Sequence, residues 1–138
     1  GFFSRIKFEN KKNILLPIIS DWKKQWQGRY KNPLLDLETL SYNKLKILTD
    51  IGRKPKSFDE IMGQFTGTIF VPNTELKLFC KSSTKFFESN NNADMTSLLS
   101  YLITKNIDIQ ISEVPNSTWY EIDTVKDLEY AIQNENIK

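Results

Sequence analysis

The apolar positions of this chain change period several times, and each change marks an element. Phe2 to Phe8 alternates loosely, as a strand does, and Asn10-Lys11-Lys12-Asn13 is a polar turn after it. Ile14 to Ile19 is a short apolar run containing Pro17. It reads as a buried or an edge strand, since proline cannot donate to a ladder. Asp21 can cap a helix running to about Tyr30, and Pro33 to Thr39 reads as a loop leading into a strand. Lys44 to Ile51 suits one strand of a hairpin, with Leu45 and Ile47 set against Lys44, Lys46 and Leu48, and Gly52 to Pro55 turns. Ser57 and Glu60 have the spacing of a capping box that opens a short helical turn.

The second half is more regular. Phe65 to Val71 is rich in strand formers and predicts a central strand, ended by Pro72-Asn73. Leu76, Phe79, Phe86 and Phe87 are at roughly helical spacing, which predicts a helix over Thr74 to Ser89. Asp94 to Lys105 gathers Met95, Leu98, Leu99, Leu102 and Ile103 on one helical face, with Asp94 as its cap. Ile107, Ile109 and Ile111 alternate with polar residues and predict a strand with one buried face. Pro115-Asn116-Ser117 turns into a short aromatic strand at Trp119, and a last helix follows before Asn134 to Lys138 frays. Strands alternating with helices make the class α/β with a mixed sheet flanked by helices.

Composition narrows the chemistry. The 138 residues suffice for one domain, residues 1–138, with 39% hydrophobic and 26% charged positions. The net charge is +2, and the basic residues are spread along the chain, which argues against nucleic acid as a partner. No apolar run reaches the length of a membrane span, so no membrane partner is expected, and a cytoplasmic protein is. The single cysteine, Cys80, lies among Leu76, Leu78 and Phe79 and reads as a small core or boundary residue. There is no histidine, which removes imidazole zinc sites and every triad with a His base. Transfer of a phosphoryl-type group survives that loss, because it runs on positioning, a hard cation and cationic side chains.

The candidate chemistry concentrates at Trp119-Tyr120-Glu121-Ile122-Asp123-Thr124. Thr124 and Asp127 have capping-box spacing, so the helix should start at Thr124 with Asp123 at the junction of strand and helix. A carboxylate there is well sited to hold a phosphate-bearing cation; the alternative is that Asp123 is only part of the cap. Glu121, two residues earlier on the strand, points to the same side and is either a further ligand or a structural residue. Lys54, between Gly52 and Pro55, can aim a compact charge at a phosphate oxygen, with Arg53 and Lys56 as competitors for that role; the alternative is a solvated loop lysine. Trp22 and Trp26 share a helix face, and with Trp119 they form either a cage for a quaternary ammonium or apolar core. Asp36 and Glu38 would supply the negative rim of such a cage, and Arg29 pairs with Asp36 or touches a phosphate. Gln64 offers both a donor and an acceptor, and Gly67 lets a ligand approach the backbone closely.

These segments together carry a resemblance. Trp119 to Ala131, with the pattern W-x-E-I-D-T-x-x-D-L-x-x-A, resembles the closing motif of the nucleotidyltransferases that activate sugar phosphates and phosphocholine. Asp21-Trp22 through Trp26 to Arg29-Tyr30 is similar to the D-W-x-x-x-W-x-x-R-Y helix of the phosphocholine and phosphonate cytidylyltransferases. Pro33 to Thr39, Ile51 to Pro55, Gly63 to Gly67 and Asp94-Met95-Thr96 match further pieces of that branch in order, so the resemblance runs from Ile14 to Ala131.

The resemblance implies a glycosyltransferase-A-like, Rossmann-like nucleotidyltransferase fold. It also implies that a nucleotidyl group, CMP from CTP, passes to phosphocholine, a phosphonate or a sugar phosphate with release of pyrophosphate. It further implies magnesium as cofactor, with Asp123 as its ligand, and Lys54 on the acceptor phosphate. The partners would be a nucleoside triphosphate and the phosphorylated acceptor. With 5 glycines and no cluster of them, the family's Gly-rich triphosphate loop is missing from this sequence. The chain is therefore expected to be the C-terminal, acceptor-binding part of such a domain, with the N-terminal nucleotide-binding half as its partner and no transferase activity alone. The reading set against this is a non-catalytic domain that binds a phosphorylated ligand or a protein.

Overall fold

The computed structural model describes Ser4, Ile6, residues 12–23, Trp26 and residues 33–114 and 119–135. The strand expected over Phe2 to Phe8, the body of the helix expected after Asp21, Arg29 and the turn at Pro115 to Ser117 lie wholly or mostly outside the described residues.

The fold is built on β1 (Ile14–Ile19), all of whose residues are buried. Period two divides it between two cores. Ile14, Leu16 and Ile18 enter a cluster with Leu40, Leu48, Ile51, Leu98, Leu99 and Leu102. Leu15 and Ile19 enter the other, with Trp22, Trp26, Leu37 and Ile61. A strand covered on both faces must be apolar throughout, so the run carries no polar alternation.

Among the described residues β1 is the middle of a sheet ordered β4-β1-β5. It pairs in parallel with β5 (Ile109–Val114), from Ile14 opposite Ile109 to Ile19 opposite Val114. It pairs antiparallel with β4 (Gln64–Phe65), Ile18 opposite Phe65 and Ile19 opposite Gln64. Pro17 is tolerated in this middle strand for a local reason. Leu15 makes both its backbone bonds to Phe70, at 2.9 Å each, so by period two Pro17 addresses the same side. There the neighbouring chain has left the ladder at Thr66, whose Oγ1 donates to the Pro17 carbonyl at 3.0 Å. The missing N–H therefore costs no sheet bond.

The same departure corrects the central strand expected over Phe65 to Val71. Only Gln64 and Phe65 form strand, at the sheet edge, and Gly67 turns the chain away with φ 75°. The hairpin is β2 (Leu40–Tyr42) against β3 (Leu48–Ile51), with Leu40 opposite Ile51. It is shorter than the expected Lys44 to Ile51 strand, because the Asn43 side chain accepts from the Leu45 and Ile47 amides and folds Lys44 and Leu45 into the turn. Leu48 and Ile51 are buried as a result, while Leu45 is exposed.

The helices α1 (Asn73–Ser89) and α2 (Met95–Thr104) fall where the periodicity puts them. Asp94 caps α2, accepting from the Ser97 amide at 2.8 Å, and Leu98, Leu99 and Leu102 are its buried stripe. Cys80 is exposed on α1, which corrects the core or boundary placement: only Phe86 of that helix is fully buried. Helix α3 (Val125–Glu135) follows a capping box. Asp127 Oδ2 accepts from the Thr124 amide and hydroxyl, each at 2.8 Å, and the Asp127 amide donates to Thr124 Oγ1 at 3.3 Å. The segment before it, Trp119 to Ile122, is irregular and not the expected aromatic strand; no ladder partner lies beside it among the described residues. No helix among the described residues is long and apolar enough to cross a membrane.

Candidate active site

A cleft of about 440 Å³ opens at the start of β2, the end of β3 and along β4, which pairs with the carboxyl end of β1. Ligands of open α/β sheets bind at such ends, because loops and helix starts converge there. Its walls come from separate segments: Trp26, then Asp36 and Glu38 to Leu40, then Ile51, then Gly63 to Gly67, then Asp94 to Thr96, and finally Trp119 and Glu121. Of the residues singled out in the sequence for binding or catalysis, Trp26, Asp36, Glu38, Gln64, Gly67, Trp119 and Glu121 meet in this cleft.

The aromatic wall is layered. Trp26 is 1% exposed, and Trp119, half-buried, stacks on it. Trp26 Nε1 donates to Asp36 Oδ2 at 3.1 Å, which fixes both the indole and the carboxylate. Trp22 does not line the cleft. It is buried, meets Trp26 edge-on, packs on Phe58 and donates its Nε1–H to the Ile61 carbonyl at 3.3 Å. Of the two roles open to Trp22, core and cage, the structure gives it core; a buried indole with a satisfied N–H has no face to offer a ligand.

The charge of the cleft is one-sided. Asp36, Glu38, Asp94 and Glu121 all line it, and none of the described lining residues is a lysine or arginine. Asp94 combines its cleft position with the cap of α2. The Ser97 side chain and amide, its main hydrogen-bond donors, hold its carboxyl below the ordinary carboxylate range. The sequence assigns Asp94 only the cap; its place in the D-M-T that opens α2, all three residues of which line the cleft, is the signal that could have set it in the wall.

Lys54 and Asp123 lie outside the cleft lining. Lys54 is exposed, and its Nζ donates to the Leu35 carbonyl at 3.1 Å, next to cleft-lining Asp36. Of its rivals, Arg53 is engaged elsewhere, gripping Asp50 with two bonds of 2.9 Å. Asp123 is exposed two residues beyond Glu121, and its amide donates to Asp127 at 3.2 Å as the backbone curls over the cap. Among the described residues no group of three or more His, Cys, Asp or Glu converges as a metal centre. Glu121 and Asp123 carry hard oxygen donors of the kind magnesium takes, but residues 119–122 form no strand to align them, and only Glu121 lines the cleft.

The chain is 31% identical over 130 residues to the CTP:phosphoglutamine cytidylyltransferase of Campylobacter jejuni subsp. jejuni serotype O:2. The match covers 89% of this chain and 51% of the relative, so the chain spans about half the length of the curated protein it matches. The likeness supports a cytidylyltransferase-like family. No family model matches the chain, and no solved structure matches it.

Proposed function

We propose that this chain is the acceptor-binding part of a nucleotidyltransferase that joins CMP, from CTP, to a phosphorylated small molecule and releases pyrophosphate. The observation that carries the reading is the convergence of seven residues singled out in the sequence, from Trp26 to Glu121, on one cleft beside the carboxyl end of β1. The likeness to a protein named as a CTP:phosphoglutamine cytidylyltransferase supports CTP as donor.

In this reading the acceptor phosphate attacks the α-phosphorus in line, and pyrophosphate leaves. Lys54 steadies the acceptor phosphate as a compact charge from the loop beside the cleft. The other end of the acceptor lies against Trp119, between Glu38 and Glu121, with Gln64 hydrogen-bonding it and Gly67 keeping the backbone bare. A cleft with carboxylates on several walls favours a positive group at that end, as in phosphocholine or an aminophosphonate, over a neutral sugar phosphate. Magnesium, when bound, neutralises charge on the reacting phosphates, and Glu121 with Asp123 would hold it.

The test is pyrophosphate release by the full-length protein with magnesium, CTP and each acceptor in turn. Turnover with a cationic phosphate acceptor is the expected result. Tight binding of phosphocholine with no pyrophosphate from any acceptor would instead make the domain a phospho-ligand binder.

A further inference from the structure

We propose that Thr39 is a positioning residue, whose buried hydroxyl sets the loop that presents Lys54; the inference rests on the reading that Lys54 meets the acceptor phosphate. Thr39 has 0% exposure and stands in the cleft wall without offering it any surface. All its polar groups turn to one loop. Its amide donates to the Arg53 carbonyl at 2.8 Å, and its carbonyl accepts from the Gly52 amide at 3.1 Å. Its Oγ1 accepts from the Arg53 amide at 3.2 Å.

The loop is tied on its other sides as well. Asp50, on β3 ahead of Gly52, grips the Arg53 guanidinium with two bonds of 2.9 Å, so the residues on either side of Gly52 are tied to each other as well as to Thr39. Gly52 sits at φ 85°, and a Cβ there would come within 3.0 Å of Thr96 Cβ. The loop is thus held between Thr39, just ahead of β2, and the first turn of α2. Lys54 follows the clamped Arg53 directly. A buried threonine with only a packing role would spend its hydroxyl on the nearest carbonyl; this one spans to a loop far along the chain and fixes the amide preceding Lys54.

The experiment is kinetics of the full-length protein with Thr39→Val, Thr39→Ser, Lys54→Ala and Thr39→Val/Lys54→Ala. Valine keeps the shape and deletes the hydroxyl; serine keeps the hydroxyl. Thr39→Val should raise the acceptor KM by about 10- to 100-fold, as misplacing a binding group does, with the KM for CTP unchanged. Thr39→Ser should restore it. The double variant should be no worse than Lys54→Ala, since the two act as one unit. If Thr39→Val prevents folding, Asp50→Ala loosens the same loop from a partly exposed position and must show the same non-additivity. Additive losses, or equal losses with both substrates, overturn the positioning role and leave the Lys54 reading intact. A Lys54→Ala variant with an unchanged acceptor KM removes both.

Discussion

Trp26 and Trp119 come from opposite ends of the chain and stack with ring centroids 6.4 Å apart and planes within 12° of parallel. The pair ties the segment before α3 to the segment after β1, and it decides which ring a ligand meets. Trp26 is the inner layer, locked by Asp36, so Trp119 presents the face.

Trp119→Leu therefore tests the cation directly. It keeps apolar bulk over Trp26 and removes the ring face. If a quaternary ammonium sits on Trp119, about 1–2 kcal/mol of cation–π attraction is lost. Phosphocholine affinity of the full-length protein should then fall roughly fivefold to thirtyfold. Affinity for a sugar phosphate should move much less. Calorimetric titration with both ligands separates the cases, and equal losses would make Trp119 scaffold.

Glu121 and Asp123 divide the proposed metal role unequally, because only Glu121 lines the cleft. Either Glu121→Gln or Asp123→Asn should cut turnover by about 10²-fold or more if its carboxylate neutralises phosphate charge through magnesium. Raising magnesium should recover part of the loss. Asp123→Asn keeps the amide that donates to Asp127, so the melting temperature should hold. An Asp123→Asn protein that turns over normally and melts early would assign Asp123 to the cap alone.

The helices and caps were legible because their signals are local. Asp94 with Ser97, and Thr124 with Asp127, close within one turn, and the α2 stripe needs only the helical period. β1 was legible as apolar, but buried or edge could not be chosen from sequence, since the answer lies in where Thr66 and Phe70 meet it. The strand expected over Phe65 to Val71 failed for the same reason: β-propensity there is overridden by the turn at Gly67 and by pairing that only the fold supplies. The resemblance gathered most of the cleft and matched Thr39 at the end of Pro33 to Thr39, but gave it no role. Its burial depends on Gly52 and Arg53, and a threonine ending a loop carries no mark of that.

Acid should weaken the fold partly through Glu113. Its carboxylate is bound by Lys46 and accepts from Tyr42 Oη at 2.6 Å, bridging β5 to the hairpin. Lys46 first, then Tyr42, holds it below its ordinary range. A carboxyl depressed in the folded state stabilises fully above its unfolded value, near pH 4.3, and that stability is lost as pH falls through the folded value. The pair is partly exposed, so salt should reduce the effect. Glu113→Gln should flatten the acid limb of a urea-stability profile below about pH 5, without abolishing it, because Asp50 and Asp94 are depressed as well. An unchanged acid limb would show the bridge to be energetically silent.

Gly63 and Gly67 flank Phe65 at the cleft and should respond differently to the same substitution. At Gly67, φ 75° is strained for any L side chain, but a Cβ would meet nothing within 4 Å. Gly67→Ala should cost about 1 kcal/mol through the backbone alone, and Gly67→Asn less, since asparagine enters the left-handed region more readily. At Gly63 the obstacle is packing. A Cβ would stand 2.6 Å from Ile18 Cδ1 and 3.2 Å from the Ile19 carbonyl. Ile18 is fully buried and has little room to yield, so Gly63→Ala should cost about 1–3 kcal/mol by overpacking. Shortening Ile18 should relieve it: Ile18→Val removes the clashing Cδ1, and the Gly63→Ala/Ile18→Val pair should be more stable than the two single losses summed. Denaturant midpoints of the set decide this, and strict additivity would mean that the carbonyl of Ile19, and not the side chain of Ile18, keeps this position glycine.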